Sequence, residues 1–304
     1  MGIKDLNPFL KAVSPDLIRE VQLSNFSGKR VAIDTSIYLY KFLYKNDRFI
    51  ESFFKQINRL RVNNITPIYI FDGKPPAEKM GEIKSRQDKK MYYMEKIMEL
   101  NNQINEINEN PVVQDQETII NTIDTEQSNI EGSEPVNIVV SKKDLQEQLE
   151  KFEKKLIIVT KEHVRALKYF FDLLNIKYIQ ANCEADIICS KLCENGKVDM
   201  VLSDDMDLLA SGSKLVLRNF NVNSNKITVY NVDNILQILD INYNQWIDFC
   251  ILCGCDYLKR VRGMGPKNAY SCIKIYGSIE KIIENMFGEG KKFTLPENYD
   301  YENA

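Results

Sequence analysis

The sequence predicts an α/β domain in which a mostly parallel central sheet is flanked by helices. Three short apolar runs rich in β-branched residues each end in an acid: Arg30 to Asp34, Pro67 to Asp72 and Asp199 to Asp205. Between them, Phe49 to Arg61 and Glu162 to Leu174 repeat apolar residues at three- and four-residue spacing, the mark of helices that lay one face on a sheet. Short apolar runs separated by helical patterns read as strands covered on both faces. Open α/β sheets take ligands beyond the carboxyl ends of their strands. The acids that close the three runs therefore stand where a site belongs.

In chain order, residues 1–100 hold the first two strands and the start of a charged helical segment, Lys74 to Glu99. Residues 101–155 open on a stretch from Asn101 to Pro135 rich in Asn, Gln, Glu, Ile and Thr with no steady period, a composition that predicts poor order. A second lysine-rich helical segment, Ser141 to Lys155, follows, and the two form a candidate pair of projecting helices. Residues 156–287 return to the core, with Thr160 placed to cap a helix and His163 in its first turn. Trp246, Phe249, Cys250 and Cys253, then Arg262 to Tyr270, read as helix, tight turn, helix, with Pro266 suited to the first turn of the second helix. Residues 288–304 are polar and aperiodic and read as a tail.

The chain has 304 residues, 44% of them hydrophobic, enough for one large core or two smaller ones. With 43 acids against 40 bases the net charge is -3, so composition does not announce a nucleic-acid partner and local distribution must. No stretch approaches the ~20 apolar residues of a membrane span, and the N-terminus lacks a signal-peptide core. A soluble intracellular protein without membrane contact is the expectation. Seven cysteines without a secreted framework and a single histidine suit reduced, buried thiols better than zinc, even at Cys250-Ile-Leu-Cys253.

Seven acids draw attention: Asp34, Asp72, Glu184, Asp186, Asp205, Asp207 and Asp256. If they converge, they cannot all stay ionised unless cations neutralise them. An all-carboxylate site suits magnesium, with manganese as substitute. Two such ions could generate an attacking hydroxide, stabilise the extra charge on phosphorus and assist the leaving oxygen, which points to phosphodiester hydrolysis. Singly, each acid also reads as a helix cap or turn residue. A divalent-ion site of another kind, such as a phosphatase, is open to the same residues.

Seven short motifs then carry a joint resemblance: Met1-Gly-Ile, V-A-I-D-T-S at 31–36, F-D-G-K-P-P at 71–76, C-E-A-D at 183–186, S-D-D-M-D at 203–207, G-C-D-Y at 254–257 and R-G-M-G-P-K at 262–267. In this order the chain resembles the flap endonucleases, within the 5′ nucleases that include the excision-repair and Holliday-junction enzymes. The resemblance implies a PIN-like 5′ nuclease core, a helical arch, and a C-terminal helix-turn-helix DNA-binding element. It implies that the seven acids hold two Mg2+, or Mn2+, directly or through water, and that Asp34 and Asp72 are catalytic with Lys79 and Arg86. Spaced seven apart, Lys79 and Arg86 would share a helical face able to hold the scissile phosphate.

The same resemblance implies DNA contacts at Gly2, at Tyr40 as a stacking platform, and at Arg262, Gly263, Gly265 and Lys267, where relatives hold K+. Lys259 and Arg260 add positive charge there. Branched DNA is the implied partner, a monomer the implied state, and replication and repair the implied setting, in a nucleus or at a viral replication site. A related nuclease preferring gaps, bubbles or junctions, or a catalytically silent DNA-binding scaffold, is the alternative. The sequence departs from the family in a short stretch from Asp34 to Asp72, with no acidic loop evident around Asp47 to Phe53. It departs also in a long span from Asp72 to Glu184, and in lacking a clamp-binding motif after Gly288, so a sliding-clamp partner stays open.

Overall fold

The structure is a computed structural model that describes residues 2–45, 48–76, 79–109, 141–288, 293–296 and 299–301. The chain divides into two compact units, Met1–Glu82 with Val159–Ala304, and Ile83–Ile158.

In the first unit, α1 (Leu6–Val13) and the edge strand β1 (Arg19–Gln22) precede β2 (Arg30–Asp34), α2 (Thr35–Lys45), α3 (Phe49–Val62) and β3 (Thr66–Phe71). The second unit is built on α4 (Met80–Glu109), which begins in the first, and α5 (Lys142–Lys155). The first unit resumes with α6 (Lys161–Leu173), β4 (Tyr178–Gln180), α7 (Ala185–Glu194), β5 (Met200–Leu202), β6 (Leu215–Arg218) and β7 (Lys226–Asn231). It closes with four helices, α8 (Val232–Leu239), α9 (Tyr243–Cys253), α10 (Pro266–Tyr276) and α11 (Ile279–Met286).

The seven strands run in the order β1-β7-β6-β5-β2-β3-β4. Those from β6 to β4 are parallel, with β2 between β5 and β3, and β7 alone is reversed, pairing antiparallel with β6 on one side and β1 on the other. Alternation along β2 explains its unbroken apolar run. Val31 and Ile33 join a core with Phe53, Tyr69 and Phe171, whereas Ala32 joins one with Ile70, Val201, Trp246 and Phe249. Both faces of the strand are thus dry from Val31 to Ile33, where every residue is apolar, and charge is confined to its two ends, Arg30 and Asp34.

Strand boundaries differ from the expected runs at their ends. β3 stops at Phe71, leaving Asp72 just beyond it, and β5 is limited to Met200–Leu202. At the second, Ser203 and Asp205 turn their side chains onto nearby backbone: Asp205 N–H donates to Ser203 Oγ (3.2 Å) and Asp207 N–H to Asp205 Oδ1 (3.2 Å). Such bonds offer the chain an alternative to the sheet ladder and end the strand.

α4 runs through Asn101 to Glu109, where the composition predicts poor order. Buried Leu100 with half-buried Gln103, Ile104 and Ile107 supplies a helical stripe that the surrounding Asn, Gln and Glu obscure. Within this unit Tyr92 and Tyr93 pack against Phe152 of α5, with Tyr93 5.9 Å from it. Residues 110–135 of that stretch lie outside the described residues. Among the described residues from Gly288, expected as a tail, Phe293 is buried and Leu295, Tyr299 and Tyr301 pack against the core. Phe293 is 5% exposed and packs its ring on Phe287.

Thr160 caps α6 as expected, its Oγ1 accepting from His163 N–H, and His163 completes the box by accepting from Thr160 N–H. All seven cysteines are free thiols, and Cys250 and Cys253 are buried.

Candidate metal and nuclease site

The strand ends of the first unit gather the acids. Asp34 closes β2 and caps α2: its Oδ1 accepts from the N–H groups of Ser36 (3.1 Å) and Ile37 (3.4 Å), and its Oδ2 from Ser203 Oγ (3.3 Å). Asp72, one residue past β3, accepts from Ala185 N–H (2.8 Å) at the start of α7. Glu184 and Asp186 flank that same start, where the helix dipole favours negative charge. Helix capping, the bland reading of strand-end acids, therefore explains one oxygen each of Asp34 and Asp72 but leaves the crowding unexplained.

The crowding is expressed in the acid strengths. Burial, then the charges of Asp72, Asp186 and Asp205, push the Asp34 carboxyl up to about 8. Burial, then Asp205 and Asp256, push Asp207 up to about 8, and burial followed by Glu184 pushes Asp186 up to about 6. All seven acids are linked by these mutual effects, so one pocket holds them.

Asp207 Oδ1 is buried without a hydrogen-bond partner. Among the described residues Lys79 enters this group, its ammonium 2.5 Å from Glu184 Oε1 and 3.6 Å from Asp256 Oδ2. Lys79 precedes the first residue of α4, so the expected shared helical face with Arg86 does not begin at Lys79. Arg86 belongs to the second unit.

Gly2 contributes differently from the expected DNA contact. A Cβ there would stand 2.2 Å from Asp205 Oδ1 and 2.9 Å from Asp207 Oδ1, with φ at +79°. Only glycine fits this close approach. Tyr40 lies on α2 with 43% of its surface exposed.

Tyr257 is a member of the pocket that sequence reasoning left without a role. Its hydroxyl donates to Glu184 Oε2 (2.5 Å), and the Lys79 ammonium lies over its ring. Its position beside Asp256 in G-C-D-Y was the available signal, but Glu184 is 73 residues away in sequence.

The donor set fits hard divalent cations: oxygen only, crowded, partly orphaned and costly to ionise unaided. Among the described residues, however, no three of the candidate side chains form a ready-made coordination group. Glu184 is instead turned to Lys79 and Tyr257, and Asp34 and Asp72 to backbone. Bare carboxylates repel, and donors already satisfied in this way must rotate to share an ion.

The helix-turn-helix element has a longer connection than the tight turn expected: α9 ends at Cys253 and α10 begins at Pro266. Gly263 adopts φ +81°, its carbonyl accepts from Asn268 Nδ2 (2.7 Å), and Gly265 has open space where a Cβ would be. Arg262 and Lys267 are exposed beside them. Arg260 is committed inward, to Cys253 O (2.7 Å) and Asp5 (2.8 Å), so it is a structural rather than a ligand-facing cation.

Among solved structures, the catalytic core of Rad2 in complex with DNA substrate is 22% identical with a TM-score of 0.62, covering 93% of this chain and 70% of its own. Flap endonuclease-1 from Methanococcus jannaschii is 24% identical with a TM-score of 0.54, covering 94% and 86%. These likenesses show that the chain shares the fold of those two proteins. The family models described as XPG N-terminal domain and XPG I-region match residues 1–92 and 175–256. Flap endonuclease 1 of Aedes aegypti is 32% identical over 322 residues, covering 100% of this chain and 73% of its own length. The chain belongs to the flap endonuclease family.

Proposed function

We propose that the protein is a structure-specific nuclease that hydrolyses phosphodiester bonds at 5′ flaps and single-strand/double-strand junctions of DNA, with accompanying 5′ exonuclease activity. Its setting is DNA replication and repair, in a nucleus or at a viral replication site, and it acts as a monomer. The observation that carries the reading is a cluster of seven acids gathered about the carboxyl ends of β2, β3 and β5, with Asp34, Asp205 and Asp207 buried and Asp34, Asp186 and Asp207 held well above the usual carboxylate range.

Asp34, Asp72, Glu184, Asp186, Asp205, Asp207 and Asp256 would hold two Mg2+ ions, for which Mn2+ substitutes. Bound there, such ions supply a nucleophilic hydroxide and stabilise charge on the reacting phosphoryl group. Asp207, with a buried oxygen lacking any partner, has most to gain from a cation. Lys79, held among acids by two ion pairs, is the side chain able to receive a phosphate oxygen once those acids turn to metal. Arg86 is proposed as a further basic residue for the scissile phosphate.

Tyr40 offers a face to an unstacked base. Gly263 and Gly265 bring backbone close to duplex phosphates between Arg262 and Lys267, a pocket that K+ also suits. Gly2 keeps the floor of the acid pocket free of a side chain.

The test is cleavage of a 5′-end-labelled double-flap DNA in Mg2+, beside gapped, bubble and four-way substrates, by wild type and Asp205→Ala. Release of the intact flap by wild type alone supports the reading. Preferential cutting of another branch would reassign the substrate within the same chemistry. Binding without cleavage of any substrate by wild type would overturn catalysis in favour of a scaffold.

A further inference from the structure

Of the adjacent acids Asp204 and Asp205, only Asp205 belongs to the pocket. The Asp204 side chain is turned to the other side of the loop, where its Oδ2 receives Lys41 Nζ (2.6 Å) and its Oδ1 the N–H of Asn219 (2.7 Å). Its carbonyl accepts from Arg218 Nη2 (2.6 Å), and the other terminal nitrogen of that guanidinium meets Met206 Sδ and the Tyr230 hydroxyl. Tyr230 passes the chain on to Asn7 of α1 (2.8 Å). Lys41 donates also to Phe220 O (3.2 Å) and follows Tyr40 on α2. The residues on either side of Asp205 are thus gripped by one guanidinium, and one of them also by an ammonium from the helix that displays Tyr40.

This grip has a physical purpose. The Asp205 and Asp207 carboxylates face each other at close range, since a Cβ on Gly2 would stand 2.2 Å from Asp205 Oδ1 and 2.9 Å from Asp207 Oδ1, so the two like charges repel each other. A loop carrying such a pair relaxes by swinging one acid outward unless bonds outside the pocket oppose it. An ordinary exposed ion pair is worth little. Here, three charge-assisted bonds converge on the single residue Asp204, and Lys41 and Asp204 are each about three-quarters covered.

We propose that Lys41, Asp204 and Arg218 are positioning residues. They hold the loop from Ser203 to Asp207 so that Asp205 and Asp207 face the same cation, and they couple that loop to the helix bearing Tyr40. The inference rests on the reading of Asp205 and Asp207 as metal-holding residues.

The experiment compares wild type, Lys41→Met, Asp204→Asn, the charge-exchanged pair Lys41→Asp with Asp204→Lys, and Asp205→Ala. Each is followed by Mn2+ binding in the absence of DNA, single-turnover flap cleavage across Mn2+ concentrations, and thermal unfolding. Lys41 lies outside the core, so its variant keeps the test open should Asp204→Asn fold poorly. The expected result is a loss of Mn2+ affinity of about tenfold or more in each single variant, the scale seen when outer partners of ligands are removed. Cleavage then falls at low Mn2+ and recovers as Mn2+ is raised, KM for DNA is unchanged, and the exchanged pair regains part of the loss. Mn2+ affinity and cleavage within about twofold of wild type in both single variants would overturn the proposal, as would a loss seen only in KM. Asp205→Ala separates the two levels. If it binds Mn2+ normally, the metal reading of this loop fails and the proposal with it.

Discussion

The acid pocket and the α4–α5 unit are both densely charged, yet charge behaves oppositely in them. In α4 and α5 charged side chains pair with neighbours three or four residues away on a solvated face, as half-buried Lys96 does with exposed Glu99 and exposed Lys154 with exposed Glu150. Each such pair is local, screened by solvent and weakly stabilising. In the pocket Asp34, Asp205 and Asp207 are each only 9% exposed, crowded by their own sign, and one Asp207 oxygen has no partner. Net charge is nearly balanced over the whole chain; what separates the two regions is water. Removing it turns acids from a solubilising surface into a site that demands a counter-ion.

The largest expected effect is at the pocket. Asp207→Asn removes the most poorly satisfied acid and should lower flap cleavage at least ~10³-fold, beyond the loss typical of one electrostatic stabiliser, while thermal stability without metal rises. Measured unchanged turnover would remove Asp207 from the chemistry. Lys79→Ala should lower single-turnover cleavage about a hundredfold with little change in DNA affinity. An equal loss in binding would make Lys79 an ordinary DNA contact.

The next contrast is with pH. Asp34 and Asp207 have folded-state values of about 8, far above the unfolded value of ~3.9. The folded protein then holds more protons than the unfolded one across that window, and the metal-free protein loses stability as pH rises through it. Unfolding midpoints in a chelator should fall between about pH 5 and pH 8, and the stabilisation added by Mg2+ should grow over the same range. A flat profile would mean the acids do not interact as their burial implies. The smallest effect is at the other region: Lys154→Ala should shift the midpoint by no more than ~2 °C.

What could be read from the sequence follows the same division. β2 and β3 were legible because both faces are dry and the apolar run is unbroken, and their ends because an acid interrupts it. The antiparallel edge, β7 with β1, and the short exposed β4 escaped notice, since such strands lack a continuous apolar signature. α4 beyond Asn101 was hidden by Asn and Gln around a correct but sparse stripe. The acids themselves were visible as residue types and in order. Their partners were not: Tyr257 to Glu184, Ser203 to Asp34 and Lys41 to Asp204 each span more than seventy residues, and no local pattern encodes such a pairing. Arg260 shows the converse, a base that reads as part of a ligand-facing cluster and folds inward onto Cys253 O and Asp5.

The central claim is that crowded, partly protonated acids are neutralised by divalent cations. The direct test is calorimetric titration of the DNA-free protein with Mg2+ or Mn2+ at about pH 7 in buffers of different ionisation enthalpy, which counts the protons released on binding. The account predicts saturable binding with net proton release, abolished or reduced in Asp207→Asn. Binding with no proton release, or no binding at all, would contradict it.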